Sequence, residues 1–391
     1  MKRKSLLILA PPVPPHHIGG DGKFALDIAT ELSRRGQKVT ILTPFYNGSF
    51  IDERPNDFLR IIRVPISDPL SKDPWDVPIW DPEFTIGRDK VLLEHIRNLN
   101  LINKDVWVHE IGGSIYNRLL LTLKNQEELF YSCHIQIVLE NYDKLIPNNR
   151  DLKKLTLESQ RLLIKNASMV FFLSKFDFIP FQYDVKDYRI VPNGVELSKF
   201  VFKKQVERDA WYRIFIGGRL HDKMKGATEM FPILNMILEK EKMVELHVCA
   251  PDKTYFEHFS AEAMKHVHYH GWISVQKTQE IIGRCDLSLV PSLYEPFGLL
   301  ALESLANGIP VLGTKTGGLS EMIIPNTNGD FIDTQYPNKV KTILEYYISR
   351  KNNLQQRDIQ DSIRRTVEKY DIKNIANLYI NNLGEFQASE C

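Results

Sequence analysis

Short apolar runs alternate with amphipathic segments through the first half of the chain. Residues 5–10 (SLLILA) show the continuous apolar pattern of a buried strand, and a Pro- and His-rich loop follows them. The next segment carries apolar side chains at helical spacing: Phe24, Ala25, Ile28, Ala29 and Leu32. Gly36 ends this helix, and KVTILTP from Lys38 begins a second strand. The order of strand, loop, helix and strand predicts a Rossmann-like unit.

Further apolar strands are predicted in DVWVHE, YSCHIQIV and SMVFFLS, with helical segments between them. After VPNGVELSKF the pattern starts again with YRIFIGG, a helix near residues 228–238, and the runs VELHVCA, HVHYHGW, DLSLVPS, IPVLGT and NGDFID. Strands that alternate with helices form mostly parallel sheets with helices on both faces. The predicted fold class is therefore α/β, with two Rossmann-like domains that face each other across a cleft.

We place the N-terminal domain at residues 1–200 and the C-terminal domain at residues 201–369. The final helix, about residues 370–391, has no strand after it, so we expect it to pack back on the N-terminal domain. Ligands of open parallel sheets bind outside the carboxyl ends of the strands. Both the Gly19-Gly20 loop and the loop before Pro296 are predicted to lie at such ends.

One stretch of the second domain, PSLYEPFGLLALESLANGIPVLGTKTGGLSEMI at residues 291–323, places two glutamates around an apolar run. Pro296 suits a first helical position, and the later Asn-Gly pair supplies a helix stop. A helix that begins at Pro296 puts Glu295 at the cap, where a carboxylate can accept free backbone N–H groups, and puts Glu303 on the second turn. The two carboxylates are thereby predicted to flank one ligand from two levels.

Composition narrows the classes of function. A chain of 391 residues favours two domains, each with its own core. With 50 basic and 49 acidic residues the net charge is +1, so we expect no nucleic-acid partner and no global attraction to anionic membranes. The four cysteines show no CxxC or metal-ligand spacing, and Cys133, Cys249 and Cys285 lie in apolar segments. A reducing, cytoplasmic location fits this usage.

Two further patterns bear on location. The apolar run after the basic start is too short for a secretory signal, and no run of about 18 apolar residues predicts a membrane-spanning helix. A helix near residues 151–165 mixes basic residues with leucines. It is either a solvated amphipathic helix or a peripheral contact with the inner face of a membrane, where a lipid-linked acceptor would be met.

The motifs, taken in order, resemble those of the retaining, nucleotide-sugar-dependent family 4 glycosyltransferases, which have the GT-B fold. The resemblance covers nearly the full chain, from the Gly-Gly loop through DVWVHE, NASMVFFLSKFD, YRIVPNGVELSKF, GGRLHDKMKG and HGWIS to the E-x7-E segment. A lone pair of glutamates at this spacing is uninformative, but the ordered series is specific. It implies transfer of a hexose from a UDP- or GDP-sugar to a glycan, lipid-linked or small-molecule acceptor, with retention of anomeric configuration.

A nucleotide-sugar donor leaves as a diphosphate, so its site must stabilise negative charge with fixed cations and aligned N–H groups. The resemblance places Arg219 and Lys225 on this diphosphate, whereas a pair of solvated surface charges is the alternative. Further phosphate contacts are expected from the backbone at Gly20, Gly298, Leu299 and Leu300. Because these cations serve the leaving group and no DxD lies in a credible loop, we expect no metal ion and no cofactor.

The same resemblance assigns the two glutamates and the HGWIS loop. Glu295 would contact the donor sugar hydroxyls as a catalytic residue, and Glu303 would bind the ribose hydroxyls. Trp272 and Ile273 would border the nucleobase. The alternatives are a capping carboxylate for Glu295, an ordinary helix-face charge for Glu303, and a buried core aromatic for Trp272.

On the N-terminal side, His134 is expected at a strand end that faces the cleft, where it would position the reacting groups rather than attack. His109 and Gly19 are candidate acceptor-side residues, with a structural histidine and a tight turn as alternatives. In DPWDVPIWDP, Trp75 and Trp80 could stack on a sugar ring or close a local hydrophobic cluster. Two other functions remain open at this point: a nucleotide-sugar epimerase of the same fold, and a noncatalytic nucleotide-sugar-binding protein. Oligomeric state is left undetermined.

Overall fold

The computed structural model of the protein describes residues 5–15, 19–67, 82–113, 116–127, 129, 131–143, 150–200, 210–351 and 357–389. The chain divides into two compact units. The first unit comprises the residues up to Gly194 together with those from Ile372 onwards, and the second unit runs from Val195 to Asp371. The final helix is thus part of the first unit.

Residues 195–200, which the sequence analysis assigned to the N-terminal domain, pack with the second unit. Val195 forms a bridge with Asp371, and its N–H donates to the Tyr370 carbonyl at 3.1 Å. The guanidinium of Arg364 also donates to the Leu197 carbonyl at 2.7 Å. These backbone contacts move the boundary a few residues earlier than the composition suggested.

Each unit is built on one sheet. The strands of the first unit are β1 (Ser5–Leu9), β2 (Val39–Tyr46), β3 (Ile51–Asn56), β4 (Leu59–Ile66), β5 (Val106–Gly112), β6 (Tyr131–Ile135), β7 (Met169–Phe172) and β8 (Tyr188–Ile190). Those of the second unit are β9 (Tyr212–Gly217), β10 (Val244–Cys249), β11 (Val267–Tyr269), β12 (Leu287–Val290), β13 (Val311–Gly313) and β14 (Gly329–Phe331). The spatial orders are β3-β4-β2-β1-β5-β6-β7-β8 and β11-β10-β9-β12-β13-β14.

Helices connect the strands and cover the sheets. In the first unit they are α1 (Gly20–Arg34), α2 (Pro82–Asn98), α3 (Asn117–Glu127), α4 (Leu139–Asp143), α5 (Arg150–Asn166) and α6 (Lys175–Phe178). The second unit has α7 (Ala227–Lys240), α8 (Val275–Ile282), α9 (Leu299–Ala306), α10 (Leu319–Met322), α11 (Pro337–Ser349) and α12 (Arg357–Arg365), and the chain then returns to the first unit in α13 (Ile372–Ser389). No helix in the described ranges is long and apolar enough to cross a membrane.

Both sheets change direction beside their first strand. In the first unit β1 pairs in parallel with β2 on one side and with β5 on the other. In the second unit β9 lies in the same way between β10 and β12. The loops that follow β1 and β5, and those that follow β9 and β12, therefore leave neighbouring strand ends, which is where open α/β sheets bind ligands. The predicted α/β class is confirmed in both units.

The sequence analysis missed the β3–β4 hairpin. β3 has the sequence IDERPN, is largely exposed and pairs antiparallel with β4 at the edge of the sheet. An edge strand that buries neither face lacks the apolar pattern that identifies a strand, and charged or proline residues are common there. The hairpin therefore leaves little trace in the periodicity.

The core of the first unit contains a chain of buried polar side chains. Tyr379 of α13 is fully buried, and its hydroxyl lies 2.6 Å from His134 Nδ1 and 3.3 Å from His109 Nε2. His134 Nε2 lies 2.8 Å from the Val191 carbonyl oxygen, so this nitrogen must carry the proton. Nδ1 of His134 then accepts from the Tyr379 hydroxyl, which in turn accepts from His109. The network holds α13 against the sheet.

His134 is the penultimate residue of β6, so it lies at a strand end as expected, but its side chain is enclosed in the core of the first unit. Its ring is buried, with Phe24 in edge-to-face contact at 5.5 Å, and both ring nitrogens have protein partners. His109 is likewise buried, and its Nδ1 lies 2.7 Å from Ser132 Oγ. Residues of a strand alternate between faces, and this face of β5 and β6 is covered by α1 and α13. The geometry gives both histidines a structural role.

Removing the shared hydroxyl tests this network. Tyr379→Phe leaves His134 Nδ1 and His109 Nε2 without their common partner in the core, and an unsatisfied buried polar group costs about 1–3 kcal/mol. We expect urea unfolding of the first unit to show a loss of that size. The matched control is Tyr183→Phe, because Tyr183 is 94% exposed and should change stability by less than about 0.5 kcal/mol. Equal effects of the two changes would contradict the network.

Stability should also depend on pH through His134. Burial lowers the pKa of His134 to about 3, and burial also lowers the pKa of His109. The unfolded chain then binds more protons below the ordinary histidine pKa of about 6.5, so stability falls as pH falls from about 6.5 towards 3. At pH 5 the contribution of His134 to this loss is about 2 kcal/mol. Unfolding midpoints at pH 7, 6 and 5 should fall less steeply in His134→Gln than in the parent, whereas parallel curves would refute the assignment.

Candidate active site

Two loops of the second unit meet at the carboxyl ends of β9 and β12. Since these strands are neighbours and parallel, the loop after Gly217 and the loop after Val290 start side by side. The Leu293 N–H donates to the Met224 carbonyl at 2.8 Å and joins the two loops. The candidate site is the region that these loops and the start of α9 enclose.

The central contact of this site joins residues that lie far apart in sequence. Lys225 Nζ donates to Glu295 Oε2 at 2.7 Å, and Ser292 Oγ donates to the same oxygen at 3.0 Å. Both charged side chains are partly buried. A cation and a carboxylate, assigned from the sequence to different parts of one ligand, are thus in direct contact.

The predicted start of the helix after Pro296 is wrong. α9 begins at Leu299, and its cap is Gly298 with φ +92°, a conformation that favours glycine. Glu295 lies before this cap, and the structure gives its carboxylate side-chain partners, Lys225 and Ser292. Sequence reasoning placed the cap at Glu295 because the proline rule locates a first turn but does not recognise a left-handed glycine two residues later.

Glycines allow the loops after β9 and β13 to approach the loop after β12 closely. Gly226 has φ +65°, and a Cβ there would lie 2.1 Å from the Pro291 carbonyl oxygen. Gly317 has φ +45°, and its Cβ would lie 2.0 Å from the Glu295 carbonyl oxygen. Gly317 was missed as a site residue, although the Gly-Gly pair after TKT was a visible signal. It leaves room for the Glu295 carbonyl, which accepts a hydrogen bond from the Gly318 N–H at 3.2 Å.

The first turn of α9 presents backbone donors. The N–H groups of Gly298, Leu299 and Leu300 have no hydrogen-bond acceptor among the described residues, and both leucines are partly exposed. Such groups carry the positive end of the helix dipole and can bind an anion. Glu303 lies one turn further along α9 and is only 7% exposed, so it is not an ordinary solvated helix charge.

Arg219 and the HGWIS loop flank this core. Arg219 is partly exposed in the loop after β9, next to Gly218 with φ +112°, and its side chain has no ion pair within the described ranges. Trp272 is 51% exposed, which excludes the buried core aromatic considered above. Ile273 packs on the small cluster around Phe215 and Cys249.

In the first unit, Gly19 is the cap of α1 and is partly exposed, and Gly20 is exposed. Both follow β1, the strand beside which the sheet changes direction. Gln136 directly follows β6 at its carboxyl end, and its side chain exchanges two hydrogen bonds with Asn193 at 3.0 and 2.7 Å. Gln136 was not predicted from the sequence, where His134 was the candidate at this strand end. The PNG stretch that contains Asn193 was a usable signal.

Trp75 and Trp80 lie outside the described residues. The basic helix is α5, where Arg161 pairs with Glu140 at 2.8 Å and also with Asp184. Cys133, Cys249 and Cys285 are buried, free thiols.

Comparisons with known proteins extend these observations. Residues 199–364 match the family described as Glycosyl transferases group 1. An uncharacterized glycosyltransferase of Methanocaldococcus jannaschii is 25% identical over 206 residues, a match that covers 49% of this chain and 53% of the relative. The chain thus spans about half the length of that curated relative.

Solved structures match the whole chain. Sucrose-phosphate synthase from Thermosynechococcus elongatus superposes with a TM-score of 0.81 at 16% identity, covering 99% of this chain and 100% of the other. An E. coli trehalose-6-phosphate structure bound with UDP-2-fluoro glucose gives 0.70 at 13% identity, covering 97% and 98%. At such identities the likeness concerns the fold. Together, the superpositions show that the chain has the two-domain α/β GT-B fold, and within it residues 199–364 are similar to the family described as Glycosyl transferases group 1.

Proposed function

We propose that the chain transfers a hexose from a nucleotide-sugar donor, a UDP- or GDP-sugar, to a glycan, lipid-linked or small-molecule acceptor with retention of anomeric configuration. The observation that carries the proposal is the contact of Lys225 with Glu295 beside the free N–H groups of α9. A diphosphate needs cations and N–H donors, whereas sugar hydroxyls need acceptors. This site offers both kinds of group within one small region.

Lys225 stabilises the leaving diphosphate in this proposal. An ammonium group has three N–H donors, and Glu295 and its neighbours orient it without using all of them. The remaining donors and the start of α9 would face the oxygens on which negative charge grows as the glycosidic bond breaks. Groups fixed before the reaction cost no reorganisation when the charge develops, which is why they lower the barrier. Arg219, on the same loop, would add a second positive charge.

Glu295 and Glu303 accept hydrogen bonds from the donor. Glu295 Oε2 is bonded to Lys225 and Ser292, so its other oxygen would meet the sugar hydroxyls. Glu303 lies deeper, on the second turn of α9, and would hold the ribose hydroxyls. A buried carboxylate discriminates strongly between a hydroxyl and its absence, since an unpaired acceptor is costly.

The acceptor would be met by groups of the first unit. Gly19 after β1 and Gln136 after β6 lie at carboxyl ends of strands in its sheet. We propose a positioning role for this edge and none for direct attack by His134, because both His134 ring nitrogens are bonded within the core. A cytoplasmic location, at the inner face of a membrane if the acceptor is lipid-linked, belongs to the same proposal.

A donor screen tests the function directly. Thermal melts with UDP, GDP, ADP and their sugars should show stabilisation by one nucleotide family, because a ligand that binds only the folded state raises the melting temperature. The stabilising nucleotide sugar is then incubated without acceptor. Slow release of free sugar is expected of a transferase, whereas interconversion of the donor means an epimerase. Binding without any turnover, even with acceptors supplied, means a noncatalytic binding protein.

Two single changes should separate the roles of the donor residues. Lys225→Ala should lower kcat about a hundredfold or more, because Lys225 acts on charge that grows in the transition state. Glu303→Gln should mainly raise the KM for donor, because ribose hydroxyls are held alike in ground and transition states. Steady-state kinetics measures both.

Matched controls are available in the same unit. Lys223→Ala removes an exposed lysine two residues from Lys225, and Glu280→Gln removes an exposed carboxylate on α8. Both controls should keep the parent kcat and KM. If Lys225→Ala and Glu303→Gln behave like their controls while circular dichroism melts show folded protein, the donor assignment is wrong.

Turnover should not require a divalent ion. Lys225 and Arg219 provide the positive charge that a metal would otherwise supply to the leaving group. We expect EDTA-treated enzyme to keep its initial rate with the stabilising donor. Loss of activity that magnesium or manganese restores would contradict this expectation.

A further inference from the structure

Three polar side chains, Glu245, His247 and His268, lie on β10 and β11 at one edge of the sheet of the second unit. Glu245 and His247 point to the same face of β10, because residues two apart on a strand share a face. His268 of β11 is the register partner of His247. The alternate residues, Leu246 and Val248, point into the core on the other face. The cluster is therefore built into the strand pairing and does not depend on flexible loops.

These three side chains converge. The possible ligand atoms of Glu245, His247 and His268 all lie within 4.8 Å of one another. His247 Nε2 lies 3.7 Å from Glu245 Oε2, and His268 Nε2 lies 3.5 Å from Glu245 Oε1. In a tetrahedral zinc site with bonds of about 2.0–2.1 Å, neighbouring ligand atoms are about 3.3 Å apart. Small side-chain rotations would close the difference.

One buried nitrogen atom of the cluster has no hydrogen-bond partner among the described residues. His247 Nε2 is buried and makes no hydrogen bond to any residue in the described part of the chain. Buried polar atoms are nearly always paired, so an unpaired one that faces a carboxylate needs an explanation.

The neighbours of the cluster supply the outer contacts of a metal site. His247 Nδ1 lies 3.0 Å from His270 Nε2, so the ring is held by its second nitrogen while Nε2 faces Glu245. Arg213 Nε donates to Glu245 Oε2 at 3.1 Å and fixes that carboxylate. Ligating histidines and carboxylates are commonly oriented in this way by a second hydrogen bond. The cation of Arg213 weakens affinity for a metal, and its Nε donates to Oε2, whereas Oε1 is the oxygen nearest His268 Nε2.

We propose that Glu245, His247 and His268 bind a divalent transition-metal ion, with Zn²⁺ as the preferred chemistry. Two imidazoles and one carboxylate suit Zn²⁺ and not Mg²⁺ or Ca²⁺, which take oxygen ligands. Water completes the fourth position, since His268 is well exposed. The ion crosslinks β10 to the edge strand β11 and stabilises that edge of the sheet.

The three proposed metal ligands are none of the residues assigned to the donor, although His270 is the first residue of the HGWIS loop. Arg213 pairs with Glu245, and Gly217 pairs with Cys249 four residues further along the same two strands. At roughly 3.3 Å per residue Glu245 lies about 13 Å, and His247 with its register partner His268 about 7 Å, along the strands from the Gly217 end of the sheet. Metal binding should stabilise this edge of the sheet, and turnover should not require the ion.

The test measures Zn²⁺ binding by the full chain after removal of metal with EDTA. Calorimetric titration should give one Zn²⁺ per chain, and Zn²⁺ should raise the melting temperature. Glu245→Gln and His268→Asn should each weaken the affinity by more than about a hundredfold, and His270→Asn by about ten- to a hundredfold. His268 is an exposed side chain, so His268→Asn should remain folded.

Controls exclude adventitious binding. His258→Asn removes a histidine of the same unit outside the cluster and should not change the affinity, and a Cys391→Ser background removes a thiol that lies outside the described residues. Co²⁺ in place of Zn²⁺ should give the visible absorption of a tetrahedral site in the parent and not in His268→Asn. Unchanged affinity in both Glu245→Gln and His268→Asn, or equal weakening in His258→Asn, would overturn the proposal.

Discussion

The parallel pairing of β9 with β12 is the constraint on which the candidate site depends. These strands are separated in sequence by β10 and β11, yet they are neighbours in the sheet, so the loops after them start at adjacent points. Lys225 and Glu295 are brought into contact by this pairing. No local feature of either loop would produce that contact, because each loop supplies only one of its two charges.

The loops can meet only where the backbone leaves room. Gly226 and Gly317 both adopt positive φ, and a side chain at either position would collide with a backbone carbonyl. Gly298 then turns the chain into α9 with its first N–H groups free. Charge, backbone donors and buried acceptor thus come from separate segments that the sheet holds together. This arrangement suits a ligand with a polyanionic part and a polyhydroxylated part, such as a nucleotide sugar.

The first unit uses its polar residues differently. His109, His134 and Tyr379 form a buried chain of hydrogen bonds that ties the last helix to the sheet, and low local polarity keeps the imidazoles neutral. Polar residues that lie close together near the end of one strand can therefore have unrelated roles. Gln136, two residues after His134, lies past the end of β6 and pairs with Asn193. Side chains alternate between the two faces of a strand, so the face of each residue and the position where the strand ends decide which side chain lies at the carboxyl edge of the sheet.

By itself, the sequence determined the α/β class, most of the strands and the order of the motifs, because buried parallel strands are short apolar runs and helices carry an apolar stripe. It also indicated Lys225, Glu295 and Glu303 as candidate residues, through spacing and resemblance. Only the tertiary structure decided that Lys225 contacts Glu295, that Gly298 rather than Glu295 caps α9, and that His134 is buried. The exposed β3 and the cluster of Glu245, His247 and His268 also needed the structure. In each case the deciding factor is which segments pair across the sheet and which face they cover, and periodicity along one segment carries no information about its partners.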